Sequence, residues 1–159
     1  MRYYDVTFEN VSVSAAQDLV QITGATGKMM FICEMWVGCP TTTLPTGQGL
    51  RLRARFLPAT VTVGSGGTVN ITPSKIDPGD AACSSTTCAT NNTTRATTSG
   101  TAIVIYQNGV HLYQGERYRF PDAERPAIGP SEAFVFELLS TVSGTLTLSG
   151  GVRLGESGG

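Results

Sequence analysis

The feature that most constrains the fold is strict alternation between apolar and polar residues, which recurs in four separate stretches of the chain. The clearest stretch is 145–154, where Leu146, Leu148, Val152 and Leu154 occupy one set of alternate positions. Successive side chains of an extended strand point to opposite faces, so this pattern predicts a strand with one buried face. No stretch of useful length shows the period of an amphipathic helix.

Turn signals divide the rest of the chain into short strands. The apolar run Met29–Val37 has the length of a central strand covered on both faces. The tripeptide Gln107-Asn108-Gly109 is typical of a tight hairpin, and it predicts one strand over 102–106 and a second over 110–113. Roughly eight strands joined by Gly- and Pro-rich turns are expected. The sequence therefore predicts an all-β fold, an antiparallel β-sandwich, with jelly-roll topology favoured.

The length of 159 residues predicts one domain spanning 1–159, and the 40% of hydrophobic residues is adequate for its core. One tract differs in composition, because twelve of the sixteen residues in Ser84–Ser99 are Ser, Thr or Asn. Such a segment buries too little apolar area to order itself, although threonine is a good strand residue. We expect a loop or arm at about 84–101 that is mobile in the free subunit and becomes ordered against a neighbour.

The charge composition argues for protein partners. Charged residues make up 14% of the chain, against the usual ~25%, and the formal net charge is −1. No long-range field therefore recruits nucleic acid or an anionic membrane, and neither is expected as a partner. Nine arginines accompany two lysines, which is the balance of an interface, where Arg is favoured and Lys is depleted.

The cysteines and the N-terminal sequence predict a protein made in a reducing cytoplasm. Met1 leads directly into a strand-like pattern, and no run approaches the ~20 apolar residues of a membrane span. The spacings Cys33-x5-Cys39 and Cys83-x4-Cys88 lack the close pairs of structural zinc sites. Free thiols are favoured, with a local Cys83–Cys88 disulfide as the alternative.

Catalytic equipment is sparse, so we expect no enzyme, no cofactor and no metal. His111 is the single histidine, and no nucleophile elbow accompanies it. Asp77 and Asp80 are close enough in sequence to suggest calcium, but a proline-containing turn explains them better.

Six residues are candidates for an interface with a protein partner. Arg51, Arg53 and Arg55 alternate along one strand face, where they either grip carboxylates of a partner or pair with acids of a neighbouring strand. The second interpretation is favoured, with Glu34 as the acid. The candidates Arg117, Tyr118 and Arg119 fit a strand and an interface anchor equally well. For Trp36, core packing is favoured over a sugar-binding platform.

Several short segments of the sequence resemble those of a known family in their order and spacing. They are Tyr4–Phe8, Ala15–Leu19, Leu50–Arg53, Asp77–Ala82, Asn91–Thr94 and Leu146–Gly150. Together they resemble the short all-β virion proteins of tailed bacteriophages and prophages, especially capsid decoration or cement proteins.

This resemblance implies a structural protein on the exterior of a capsid, made in the host cytoplasm. It implies a jelly-roll subunit, commonly a homotrimer, that clamps neighbouring major capsid proteins. Two alternatives stay open, namely a tail, connector or fibre-tip protein on the same fold and a carbohydrate-binding module. A sandwich fold alone does not distinguish them.

Overall fold

A computed structural model describes residues 1–40 and 46–157. The fold is all-β, as predicted from the sequence, and its two main sheets are antiparallel with six strands each. The jelly-roll connectivity stays a prediction.

Sheet A consists of β1 (Arg2–Val13), β3 (Met30–Gly38), β7 (Ser74–Lys75), β11 (Glu116–Arg119), β12 (Ala127–Ile128) and β14 (Leu146–Glu156). Its order is β11–β3–β14–β1–β7, with β12 paired to β3. Sheet B consists of β2 (Gln17–Thr23), β4 (Gly49–Leu57), β6 (Thr68–Ile71), β8 (Cys88–Asn92), β10 (Ile103–His111) and β13 (Ala133–Leu138), in the order β10–β4–β13–β2–β8–β6. The short strands β5 (Val61–Thr62) and β9 (Thr97–Thr98) pair separately, and Asp122–Glu124 form a 3-10 helix.

The alternation in the sequence places one side of each sheet in a shared core. On β14, Leu146, Leu148, Val152 and Leu154 are fully buried, and the register sets Val152 opposite Val6 of β1. Phe134 and Phe136 of β13 enter the same core from sheet B. Burying each such side chain contributes roughly 1.5–3 kcal/mol, so this core is the main source of cohesion between the sheets.

The predicted hairpin turn at Gln107-Asn108-Gly109 is not present, because β10 continues through it to His111. Asn108 pairs with Leu52 and Gly109 with Arg51 in the ladder with β4. A two-residue hairpin of the expected type needs positive φ at both central residues, and neither Asn108 nor Gly109 has it. The chain reverses instead after His111, where Gly115 has a φ of +67° and the chain crosses to sheet A.

The Ser/Thr/Asn-rich tract, expected as an arm over about 84–101, lies largely within the fold. Its centre is β8, which is buried throughout and sits between β2 and β6 in sheet B. Composition suggested too little apolar area, but Cys88 and Ala89 are fully buried, and the Gln17 amide donates to Asn91. Strand β8 is therefore held by apolar contacts at Cys88 and by a hydrogen bond from β2 at Asn91.

A second layer covers the outer face of sheet B. We define the cover as residues 58–67 and 93–102, which are joined by the β5–β9 pair and by a bridge between Ser65 and Thr94. Ala96 of the cover packs with Leu57, Ala133 and Val135 in a small apolar cluster. No second strand pair of this kind lies outside the main sheets among residues 1–40 and 46–157.

Candidate interaction surfaces

A row of polar residues crosses five strands on the outer face of sheet B. In the register of the sheet, Gln107, Arg53, Glu137, Asp18 and Asn92 are successive cross-strand neighbours from β10 to β8. Glu137 and Asn92 have no exposed surface, and 1% of Asp18 is exposed, because the cover lies over them. The part of the row beneath the cover is thus internal, although it lies on the sheet face opposite the core, and the row ends in solvent at Gln107.

Three arginines surround the Glu137 carboxylate. Arg53 donates to Oε1 through its Nε. The Nε of Arg55 lies 2.8 Å from the same oxygen. Arg95 of the cover places Nη1 3.7 Å from Oε2 and donates through Nη2 to the Leu138 carbonyl at 3.1 Å. A buried carboxylate requires such compensation, since an unpaired charge in this position costs several kcal/mol.

These contacts correct the predicted partner of the arginine series. Arg53 and Arg55 do pair with an acid of a neighbouring strand, but the acid is Glu137 of β13 rather than Glu34. Glu34 belongs to β3 in the other sheet, where it accepts a hydrogen bond from Arg117. Arg51 is exposed and makes no ion pair among the described residues.

Asp18 ties the cover to sheet B. Its Oδ2 accepts a hydrogen bond from the Ala96 backbone N–H at 2.7 Å, and its Oδ1 lies 3.8 Å from Arg55 Nη2. Burial raises the pKa of the Asp18 carboxyl to about 6, the nearby Glu137 charge adds to the rise, and the Ala96 hydrogen bond with Arg55 and Arg95 opposes it.

The outer face of sheet A carries a second row, which is partly exposed to solvent. Arg119 is exposed, Asp5 and Arg153 are partly exposed, and Glu34 is buried. Asp5, Arg153, Glu34 and Arg119 are successive cross-strand neighbours from β1 to β11. Arg153 donates to both Asp5 oxygens, at 2.9 and 3.0 Å. The hydrogen bond from Arg117 holds the pKa of the Glu34 carboxyl below its usual range. The row therefore alternates in charge at neutral pH.

Trp36 lies beside this charged row and is partly exposed. It is opposite Gly151 of β14, where a Cβ would come within 2.8 Å of the Trp36 ring atom Cζ2 and 2.7 Å of the Val6 carbonyl oxygen. The absence of a side chain at Gly151 allows the indole to lie across the neighbouring strand. The result is an aromatic surface fixed within a sheet, which is the kind of residue that anchors protein interfaces.

The six predicted interface residues are divided among three locations. Arg51, Arg53 and Arg55 lie on the outer face of sheet B, and Arg117 and Arg119 lie on the outer face of sheet A. Tyr118 points into the sandwich, where its ring centre is 4.5 Å from that of Tyr106 and 4.9 Å from that of Phe120. Tyr118 therefore contributes to packing, whereas Arg117 and Arg119 are on a solvent-facing surface.

Two clefts lie at opposite ends of this face. A cleft of about 600 Å³ adjoins Trp36 and Arg117, with Glu9 and Tyr113 also in its lining. A cleft of about 290 Å³ adjoins Tyr3 and Arg119 at the other end. We call the surface formed by Tyr3, Asp5, Glu34, Trp36, Arg117, Arg119 and Arg153, in which Glu34 is the buried member, the A face.

A metal site or a thiol site would draw on the His, Cys, Asp and Glu side chains of the chain. No group of three or more His, Cys, Asp or Glu side chains is positioned to hold a metal within residues 1–40 and 46–157. Cys33, Cys83 and Cys88 are buried thiols outside any disulfide, and burial raises the pKa of the Cys83 thiol to about 12 and that of Cys88 in the same direction. Thiols with raised pKa values are weak nucleophiles at neutral pH.

Comparison of the chain with family models, with curated proteins and with solved structures gives no match. Within the described ranges, no helix has the length and apolar character needed to cross a bilayer.

Asp18→Asn tests the buried row through its pH dependence. The folded protein holds a proton on Asp18 up to about pH 6, whereas the unfolded chain releases it near pH ~4. Between these values the folded state binds more protons, so the free energy of unfolding of the wild type falls as pH rises. The Asp18→Asn variant has no carboxyl at this position, so its free energy of unfolding does not fall for this reason. We expect its stability relative to wild type to increase from pH ~4 to ~6 by about 1–3 kcal/mol in urea denaturation.

The control for this experiment is Asp77→Asn, since Asp77 is exposed in a turn. A stability difference between Asp18→Asn and wild type that is constant across the same pH range would contradict the assignment.

Gly151→Ala tests the seating of Trp36. The added Cβ would be too close to the indole and to the Val6 carbonyl, so we expect a loss of about 1–3 kcal/mol in the free energy of unfolding. We also expect a shift in the fluorescence emission of Trp36, which is the single tryptophan of the chain. Gly38→Ala is the matched control, because a Cβ there meets no atom within 4 Å. If the two variants had the same free energy of unfolding and the same Trp36 emission, the close approach of the indole to Gly151 would be ruled out.

Proposed function

We propose that this protein is a structural virion subunit, a capsid decoration or cement protein that binds the lattice of the major capsid protein from outside and stabilises it. It is made in the host cytoplasm and acts without catalysis or a cofactor. The proposal joins the sequence resemblance to tailed-phage virion proteins with the distribution of residues on the two sheets.

The observation that carries the proposal is the composition of the A face. It combines a partly exposed tryptophan with arginines that are held in place by Asp5 and Glu34. Trp, Tyr and Arg are the residues that dominate binding energy at protein interfaces, particularly when their neighbours fix them in position. Arg117 and Arg119 are the two predicted interface residues that belong to this surface.

The covered outer face of sheet B supports the same assignment. Because Glu137 and Asp18 are enclosed by the cover, the part of that face beneath the cover is used for packing within the chain. A subunit with one covered face and one open face is suited to lie flat on a surface made by other proteins. When many weak contacts of this kind are linked on a lattice, the overall affinity exceeds that of a single contact by ~10²–10⁴.

The edge of sheet B supports association between copies of the chain. β10 pairs with β4 on one side and with no described strand on the other. It is nine residues long and contains no Lys, Arg, Asp, Glu or Pro, and Ile103 and Val104 are 52% and 49% exposed. Soluble proteins normally protect such an edge with charge or proline, so we propose that β10 lies at the contact between subunits of a homotrimer.

Val104→Lys tests the subunit contact. A lysine on the open edge should disfavour strand pairing, so we expect the variant to be a monomer where the wild type has the mass of a trimer in analytical ultracentrifugation. Val63→Lys is the control, since Val63 is similarly exposed, at 38%, but lies outside the strands. A monomeric wild type, or a trimeric Val104→Lys variant, would contradict the role of β10.

Capsids lacking this protein should release their DNA at a lower temperature than complete capsids, because the lattice loses the contacts that bridge its subunits. Adding back purified wild-type protein should restore the release temperature. We expect Trp36→Ala to bind stripped capsids at least about tenfold more weakly, as for an interface anchor. Arg51→Ala, on the other sheet, should bind normally.

Equal heat stability of stripped and complete capsids would overturn the cement function, and a location confined to the tail would favour a tail component. The alternative of a carbohydrate-binding module has one observation in its favour, the cleft of about 600 Å³ beside Trp36. Glycan binding by the isolated subunit, lost in Trp36→Ala, would favour that alternative.

A further inference from the structure

The smaller cleft on the A face has an unusual concentration of positive charge. It has a volume of about 290 Å³, and its lining consists of Tyr3, Cys33, Glu34, Ile76, Arg119, Arg125 and Arg153. Three arginines thus face one carboxylate, in a chain whose formal net charge is −1.

Arg119 is the cation of this cleft that is not neutralised. It lies opposite Glu34 in the register of β11 and β3, but the Glu34 carboxylate is engaged by Arg117. Arg119 is exposed and makes no ion pair or side-chain hydrogen bond with any described residue. Its planar guanidinium therefore keeps all five N–H donors available to a ligand.

The other two arginines are held in position by acids outside the lining. Arg153 is fixed by the two-pronged contact with Asp5. Arg125 contacts Asp122 through Nη2, its side chain is 9% exposed, and its buried Nε has no hydrogen-bond partner. When Arg117, the partner of Glu34, is also counted, the arginines exceed the carboxylates by one positive charge. The four arginines are Arg117, Arg119, Arg125 and Arg153, and the three carboxylates are Asp5, Glu34 and Asp122.

We propose that this cleft binds a carboxylate carried by an acidic peptide segment of the protein partner. Arg119 makes the charged contact, in the two-pronged geometry that a guanidinium forms with a carboxylate. The exposed side chains of Tyr3 and Ile76, at 37% and 47%, pack against the apolar atoms that flank it. The inference rests on the proposed function, because it names the chemistry that the A face recognises.

The charge balance favours a peptide carboxylate over a nucleic acid. A nucleic acid presents a phosphate at every nucleotide, and Glu34, Asp5 and Asp122 around the cleft would repel those phosphates that Arg119 does not meet. A single carboxylate matches the one excess charge. The cleft is also small, and it therefore fits one or two side chains of an extended segment.

The probe is a fluorescently labelled hexaglutamate peptide, with hexaglutamine as the uncharged control. We expect the wild-type subunit to bind hexaglutamate more tightly than hexaglutamine, with affinity falling as salt is added. Arg119→Glu should weaken hexaglutamate binding at least about tenfold, because it places like charges together. Arg119→Lys should give an intermediate affinity, since it keeps the positive charge but loses the planar guanidinium that binds a carboxylate through two hydrogen bonds.

Arg51→Glu is the matched control, because it makes the same charge change at an exposed arginine without an ion pair on the opposite sheet. Equal losses in Arg119→Glu and Arg51→Glu would show a general charge effect and overturn the proposal, as would wild-type binding by Arg119→Glu. An oligonucleotide of equal charge that binds more tightly and depends on Arg119 would assign the cleft to nucleic acid instead.

Capsid binding separates this inference from the proposed function. If Arg119→Glu loses the peptide and still binds stripped capsids as wild type does, the cleft recognises carboxylates but does not contact the shell, and the inferred partner is wrong. If the wild type binds the peptide but no capsid, carboxylate binding by the cleft is supported and the proposed function is wrong. Circular dichroism and Trp36 fluorescence of each variant establish that it is folded.

Discussion

The ion cluster around Glu137 is the interaction on which the arrangement of the molecule depends. Glu137 lies on the third strand of the six in sheet B, and its charge is compensated from two directions, by β4 through Arg53 and Arg55 and by the cover through Arg95. Burying a carboxylate is costly, so the cover, which supplies Arg95, stabilises the Glu137 charge that it encloses. This cluster lies in the part of the outer face of sheet B that the cover makes interior.

The division of the two outer faces follows from that cluster. Glu137 and Asp18 of sheet B attach the cover, while the charged residues of sheet A form an alternating, partly exposed row with Trp36 beside it. Arginine therefore has different roles on the outer faces of the two sheets. Arg53 stabilises the fold, whereas Arg119 is left with its donors available for a partner.

Periodicity predicted the all-β class and the buried face of β14, because alternation follows directly from strand geometry. The apolar run Met29–Val37 was correctly read as a central strand, although its outer face is open at Trp36. Three features escaped local reasoning because distant residues decide them. β10 runs through Asn108-Gly109 since β4 supplies a partner, β8 is ordered by β2, and Glu137 rather than Glu34 meets the arginines. The lone acid in the apolar stretch 133–139 was the available signal for a buried ion pair.

The most direct test of this account is a cryo-electron-microscopy reconstruction of capsids that carry the subunit, at a resolution that separates the two sheets. The account predicts that the A face contacts the major capsid protein, with Trp36 and Arg119 at the contact and the cover turned away from the shell. Density in which the cover contacts the shell while the A face is open to solvent would contradict it.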